Sequence, residues 1–333
     1  MIMDRLEQVK QLLSDKHLDA LVVLSDFNRR YLSQFTGTSG ALIITPEKRI
    51  LLTDFRYMDQ ASQQATEFNV INQDGNLLDA IKSHLQDLNV ENVGFEGNLV
   101  SYEIREVKTE DEIQIIQKAA EIVDEAYDYI LTVTKAGMTE HDVKAKLESK
   151  MLELGAEDTS FDTIVASGYR GAMPHGVASD KVIEDGDLIT LDYGAYYKGY
   201  ASDITRTFAV GEPDEKLKEI HQIVLDANLK AIEAAKPGMK ASELDAVARD
   251  YISEKGYGDY FGHSLGHGIG LDVHEGPALS RRSDSTLKVN QCVTIEPGIY
   301  LEGLGGVRIE DDILITENGC ERFTKSSKDL IIL

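Results

Sequence analysis

The feature that most restricts how this chain can fold is a set of acidic residues placed inside apolar, strand-like runs of its second half. Asp192 follows Leu188-Ile189-Thr190-Leu191, Glu296 follows Val293-Thr294-Ile295 and precedes Pro297-Gly298, and Glu310 lies between Ile309 and Asp311-Asp312-Ile313. Runs of this kind read as buried strands. An unpaired carboxylate in such a place is costly or gives up its charge, so these acids call for cations. Any one of them alone reads equally well as a strand-end or turn acid, since most of the 58 acidic residues must be solvated helix faces. Together with Asp203 and His267 they make a thiolate-free set of four carboxylates and an imidazole. That donor set suits two divalent ions such as Mn2+, Co2+, Zn2+ or Fe2+, whose charge balances that of the four acids.

The pattern around these residues divides the chain. Over the first hundred positions helix and strand alternate. Helical spacing at 4–17 is followed by strands at 19–25, 40–45, 49–55 and 92–97, with helical patterns near 57–66 and 76–88. This predicts an α/β domain with a mostly buried sheet. A long helix then opens at Thr109 with Glu112 three residues on, a capping-box pattern, and the domain boundary is placed just before it, giving domains at 1–108 and 109–333. The second domain reads as helices at 139–154, 214–235 and 242–255, capped in the first and last cases by Thr139 and Ser242. Strands occupy 162–168, 187–211 and most of the remainder. Helices and antiparallel strands in separate runs predict α+β for this part.

Composition narrows the function. A formal net charge of −24 argues against nucleic acid, whose phosphates need basic patches. No run approaches the roughly 18 apolar residues of a membrane span. The amphipathic start MIMDRLEQVKQLL carries no signal-peptide pattern. Two cysteines, Cys292 and Cys320, suit a reduced cytoplasmic protein better than a disulfide framework.

The segments LDYGAYYKGYASDITRTF, GHSLGHGIGLDVHE, TIEPGIY and GGVRIEDD resemble the Xaa-Pro peptidase branch, prolidase and aminopeptidase P, of the methionine-aminopeptidase-like metallopeptidases with the pita-bread fold. NRRYLSQFTG and TDFRY resemble the creatinase-type N-terminal domain. The resemblance implies a dinuclear peptidase that cuts Xaa-Pro bonds of dipeptides or short peptides. Mn2+ is the first choice of metal, with Co2+ or Zn2+ next, and the assembly implied is a homodimer. Asp192 would then ligate one metal, Asp203 and Glu310 would bridge both, and His267 and Glu296 would ligate the other. His175, His263, His274 and Arg308 match the family's remaining active-site positions, and Glu296 also serves there in proton transfer. Arg308 has Asp311 and Asp312 as alternative partners close in sequence.

Two features depart from the family pattern. Where a prolidase arginine for the dipeptide carboxylate is expected, the segment VHEGPALSRRSD has Ala278, with Arg281 and Arg282 further along. The junction at Tyr102-Glu103 is abrupt, as if chain were missing there. An Xaa-Pro dipeptidase is the leading expectation, with an Xaa-Pro aminopeptidase acting on longer peptides as the alternative. A non-catalytic peptide-binding relative would have lost ligands that are all present here.

Overall fold

The computed structural model describes residues 2–73, 75–88, 90–96 and 104–333, so the Tyr102-Glu103 junction lies outside the described residues. The chain gathers into two compact units, Met1–Arg105 and Glu106–Leu333.

In the first unit, α1 (Ile2–Asp15) buries Leu6, Val9, Leu12 and Leu13 along one stripe. β1 (Ala20–Val23) leads into α2 (Asp26–Ser33), whose first turn is closed by Ser25 accepting from the Asn28 amide. β2 (Ala41–Ile44) and β3 (Arg49–Thr53) are buried along almost their whole length. After α3 (Met58–Gln64), β4 (Asn69–Asn72), α4 (Leu77–Asp87) and β5 (Val93–Phe95) complete the unit. The sheet order is β4-β3-β2-β1-β5, antiparallel in the middle and parallel at both outer pairs. The sequence reading did not contain α2 or β4. In β4 only Val70 and Ile71 are apolar, between two asparagines, so no periodicity marks it.

The second unit begins with α5 (Glu110–Val133), opened by the expected capping box. Glu112 accepts from both the Thr109 amide and hydroxyl. α6 (Glu140–Glu153) is capped in the same way by Thr139 and Asp142. The strands that follow are β6 (Asp158–Thr159), β7 (Ile164–Ser167), β8 (Asp187–Tyr193), β9 (Ala195–Tyr197), β10 (Tyr200–Ala201) and β11 (Ile204–Val210). β7, β8 and β11 form an antiparallel sheet in the order β11-β8-β7. Ile189, Leu191 and Phe208 of that sheet pack with Val123, Tyr127 and Leu147 of α5 and α6.

α7 (Glu215–Ala234) and α8 (Ala241–Glu254) lie against a second set of strands. These are β12 (Gly266–Gly268), β13 (Glu275–Leu279), β14 (Cys292–Ile295), β15 (Gly298–Leu301), β16 (Gly305–Arg308), β17 (Asp311–Thr316) and β18 (Gly319–Arg322). Five of them order as β13-β12-β14-β17-β18, while β15 and β16 pair with each other. Ser242 does not cap α8. The helix starts one residue earlier, after Lys240, and Glu243 accepts the Lys240 amide, the half of a capping box that needs no hydroxyl. Helices and antiparallel strands are segregated in this unit, as the α+β expectation required. Among the described residues, no helix is long and apolar enough to cross a membrane.

Candidate metal centre

Strand alternation delivers the acids to one side of the second unit. On β8, Ile189 and Leu191 join the core under α5 and α6, which turns Asp192 the other way. Val293 and Ile295 of β14 join the core under α7 and α8, as do Val307 and Ile309, so Glu296 and Glu310 leave their strands on the opposite face. Asp203 enters from the link between β10 and β11, and its amide donates to Asp312 Oδ2 at 2.9 Å. His267 is the central residue of β12. A Cβ on Gly266 would meet Thr294 O at 2.0 Å, and one on Gly268 would meet Gly276 O at 1.9 Å. Only a glycine-flanked histidine can thread that gap and still present its ring.

The donor atoms converge. One ligand atom from each of Asp203, His267 and Glu310 lies within 4.8 Å of the others. His267 Nε2 stands 3.7 Å from Asp203 Oδ2 and 3.6 Å from Glu296 Oε1, too far for hydrogen bonds. The Nδ1–H of His267 donates to Gly268 O at 3.0 Å, which leaves the Nε2 lone pair facing the acids. Asp192 joins through Arg308, whose Nη2 donates to its Oδ2 at 2.6 Å. Glu310 accepts from Thr205 Oγ1 at 2.7 Å, and Arg308 Nε donates to the same hydroxyl at 3.1 Å.

Burial and mutual repulsion make this a poor place for bare charges. Burial first, then Glu310 and Asp192, hold the Asp203 carboxyl well above the usual range. Burial and Glu310 do the same to Glu296. Burial and Asp192 push Glu310 up to about 8. Burial, with His274 adding to it, pushes His267 down to about 4, so the imidazole is neutral. Asp192 Oδ1 and Asp203 Oδ1 are buried without a hydrogen-bond partner. Orphaned carboxylate oxygens, raised acids and a neutral imidazole with its lone pair turned inward are what a site for hard-to-borderline divalent cations requires. The residues present fit such ions.

The other anticipated residues surround this cluster. Arg308 is buried but does not use Asp311 or Asp312. Alternation turns Asp311 to the reverse face, Asp312 accepts the Asp203 amide, and the guanidinium joins Asp192, Thr205 and Tyr300 instead. His263 Nε2 lies 2.8 Å from Tyr300 Oη, and its Nδ1 is 2.8 Å from Ser264 O. Because Arg308 Nη1 donates to Tyr300 Oη at 2.8 Å, the tyrosine hydroxyl donates onward to His263. Burial, then Arg308, pushes His263 down to about 4, which matches a neutral ring accepting that bond. His274 is exposed and its ring lies 4.3 Å from that of His267. His175 is exposed on the loop after β7, near enough to His263 to oppose its protonation. Ala278 is exposed on β13, and Arg281 and Arg282 are exposed on the turn beyond it.

Several residues of the centre had no place in the sequence reading. Tyr300 and Thr205 touch its members directly. Asn228 of α7 donates to the carbonyls of Ile295 and Ile309, the residues just before Glu296 and Glu310. Tyr300 sits in TIEPGIY, four positions after Glu296, and that proximity was the one signal available for it.

Comparison with known proteins agrees with this arrangement. The model of metallopeptidase family M24 matches residues 114–317, and that of the creatinase/prolidase N-terminal domain matches 5–141. The chain is 47% identical to an uncharacterized peptidase of Bacillus subtilis, covering 99% of this chain and 100% of that one. It is 43% identical to the Xaa-Pro dipeptidase of Pyrococcus furiosus over 98% of this chain and 99% of that one. Among solved structures, an Xaa-Pro dipeptidase from Bacillus anthracis superposes with a TM-score of 0.97 at 46% identity, covering 100% of both chains. An X-Pro aminopeptidase from Thermotoga maritima gives 0.90 at 42% identity, covering 98% and 99%. With its acids and histidine gathered in a pita-bread domain behind a creatinase-type one, the chain belongs to metallopeptidase family M24.

Proposed function

We propose that the protein is an Xaa-Pro dipeptidase that uses two divalent metal ions, Mn2+ by preference and Co2+ or Zn2+ as substitutes. The observation that carries this reading is the cluster of Asp203, His267 and Glu310, with Glu296 3.6 Å from His267 Nε2, which has orphaned oxygen and a turned-in imidazole lone pair. Asp192, Asp203, His267, Glu296 and Glu310 would hold the ions. Bound there, the ions would polarise the scissile carbonyl and activate a water.

The chain's own residues supply the rest. A bond to proline nitrogen has no N–H, so the site must grip the substrate through its carbonyl and its termini. Glu296, whose Oε1 lies 3.6 Å from His267 Nε2, can take up a proton and pass one to the departing proline nitrogen. His175 and His274, both exposed, can donate to the carbonyl oxygen or hold the proline end. His263, Tyr300 and Arg308 form a hydrogen-bonded chain that orients Asp192. Acidic surroundings favour the substrate's free amine, which restricts cutting to the first residue. The homodimer that the family resemblance implies and the cytoplasmic location that the composition suggests belong to the same reading, and gel filtration tests the first.

The deciding assay compares Ala-Pro with Ala-Pro-Ala under Mn2+, Co2+ and Zn2+, with metal content measured in parallel. Cleavage of Ala-Pro that disappears on chelation is expected. Efficient cleavage of Ala-Pro-Ala with Ala-Pro untouched would instead make the protein an Xaa-Pro aminopeptidase.

A further inference from the structure

Glu140, the first residue of α6, has no surface exposure. An acid in the first turn of a helix ordinarily stays in solvent, where it complements the helix dipole. Here the start of α6 is already satisfied by Thr139 and Asp142, so Glu140 is not needed as a cap. Its side chain turns inward and is saturated with donors. Oε1 accepts from the Ser167 amide at 2.8 Å and the Ser167 hydroxyl at 2.9 Å. Oε2 accepts from the Ser179 amide at 3.0 Å, from the Ser179 hydroxyl at 2.6 Å and from Arg170 Nη1.

These donors come from the two feet of one loop. Ser167 ends β7, Ser179 closes the segment, and between them run Gly168 to Ala178 with His175 exposed near the middle. Arg170 extends the carboxylate's hold across the loop, since its Nη2 donates to Val177 O at 2.9 Å. Tyr169, Met173 and Val177 are about half exposed, so apolar burial does little to fix the loop. A tight backbone approach helps on one side, where Gly171 O would sit 2.1 Å from a Cβ on Gly306. Local backbone bonds, Gly176 N–H to Met173 O and Val177 N–H to His175 O, and a bridge between Ile164 and Val177 shape the loop, and the polar tie through Glu140 joins its two feet.

We propose that Glu140 is a positioning residue for His175: its buried carboxylate ties both feet of the 168–178 loop and so sets where the imidazole meets the substrate. This rests on His175 acting on the substrate, as proposed above. A carboxylate is needed because it accepts on both oxygens while balancing the Arg170 guanidinium.

The test uses the full-length, metal-loaded enzyme with Glu140→Gln, which keeps the size but puts an amide nitrogen among donors. Amide hydrogen exchange should speed up across 168–179 and nowhere else, with metal content unchanged. For Ala-Pro, kcat should fall about 10-fold to 10²-fold, the cost of displacing a catalytic group, with KM within about twofold. Added to His175→Ala, the Glu140→Gln change should cost no further kcat. Unchanged loop exchange, or losses that multiply in the double variant, would overturn the proposal. A normal kcat in His175→Ala would overturn the role of His175 and this proposal with it, whereas a slow His175→Ala beside a normal Glu140→Gln would overturn the positioning role alone. Should Glu140→Gln not fold, Ser179→Ala removes a single donor from the same carboxylate. Local exchange and kcat should then shift in the same direction by a smaller factor, and no shift in either would refute the tie.

Discussion

On the face of the 308–313 segment turned toward His267, Glu310 is 2% exposed and its carboxyl is pushed up to about 8. On the reverse face the adjacent Asp311 is fully buried, yet its carboxyl is held below the usual range. Burial is the largest influence on both, and it pushes both upward. The difference lies in the company. Asp311 receives Arg206 Nη2 at 2.8 Å, Lys328 Nζ at 2.7 Å and the Thr324 hydroxyl at 2.9 Å, and those cations outweigh its burial. Glu310 faces Asp192, Asp203 and Glu296, with Thr205 as hydrogen-bond donor and Arg308 engaged mainly with Asp192. Acid matched by the protein's own cations is structural. Acid gathered without enough of them is a receptor for cations from outside.

The widest gap between the two faces should open under alanine substitution. Glu310→Ala is expected to lose bound metal and to lower turnover by about 10³-fold, the scale of a lost electrostatic partner in the reaction. Asp311→Ala leaves Arg206 and Lys328 buried without their acid, which should cost about 3–5 kcal/mol of stability. Metal analysis and thermal melts on both variants decide the matter. A Glu310→Ala protein that keeps its full metal content, or an Asp311→Ala protein that loses metal without losing stability, would break the comparison.

Next in size are His175→Ala and His274→Ala, each expected to keep the metal and lose about 10²-fold in kcat as a proton donor or carbonyl partner disappears. Metal loss in His274→Ala with retention in His267→Ala would exchange the roles assigned to the two neighbouring rings.

Chelation acts on one face only. Metal bound solely by the folded protein adds about 2.7 kcal/mol at a hundredfold excess over Kd, so its removal should lower the Tm and abolish activity, both recovering with Mn2+. The chelated protein should also acquire a pH dependence. Glu310 keeps its proton to about pH 8 in the folded chain but releases it near 4.5 when unfolded. The folded form therefore holds more protons across that interval, and stability is lost as pH rises through it. Asp311, shifted the other way, contributes stability above its unfolded value of 3.8 that is lost only as pH falls below it. A melting temperature of chelated protein that climbs steadily from pH 5 to about pH 8 would contradict the Glu310 assignment.

The smallest effect belongs to Arg281 and Arg282. Both are exposed, so if either binds the dipeptide carboxylate, its loss should raise KM for Ala-Pro by about fivefold or less, the worth of a solvent-screened ion pair. KM for Ala-Pro-Ala should not move.

Among the proposed ligands, Asp192, Glu296 and Glu310 were legible because each breaks an apolar run, and acids inside buried strands have few explanations. The capping box at Thr109 was legible because Glu112 lies three residues away, and Thr139 was legible as a cap by its residue type, its partner Asp142 being shown by the structure. Partners far off in the chain left no such trace. Asn228 reads as one polar position on an amphipathic helix, although its amide holds two strand carbonyls. Glu140 reads as an ordinary first-turn acid until Ser167 and Ser179 are brought to it. Arg308 was read as an active-site residue with Asp311 and Asp312 as alternative partners, and nothing in the sequence pointed to Asp192, its partner 116 positions away. The cap of α8 was misplaced because Ser242 is the expected residue type and Lys240 is not, even though Glu243 does the work from inside the helix.

The side-chain bond from Thr205 to Glu310 spans 105 positions of chain, and neighbouring Asp203 and Glu310 both belong to the proposed ligand set. Closing so long an interval forfeits chain entropy before any contact rewards it, which places such pairings late on the path to the native state. A cation that recognises the assembled cluster meets a chain whose topology is already complete. Interactions absent from the transition state leave the folding rate alone and slow the reverse reaction. The ions would then serve as a latch on a finished structure, visible less in how quickly the protein forms than in how long it resists a protease.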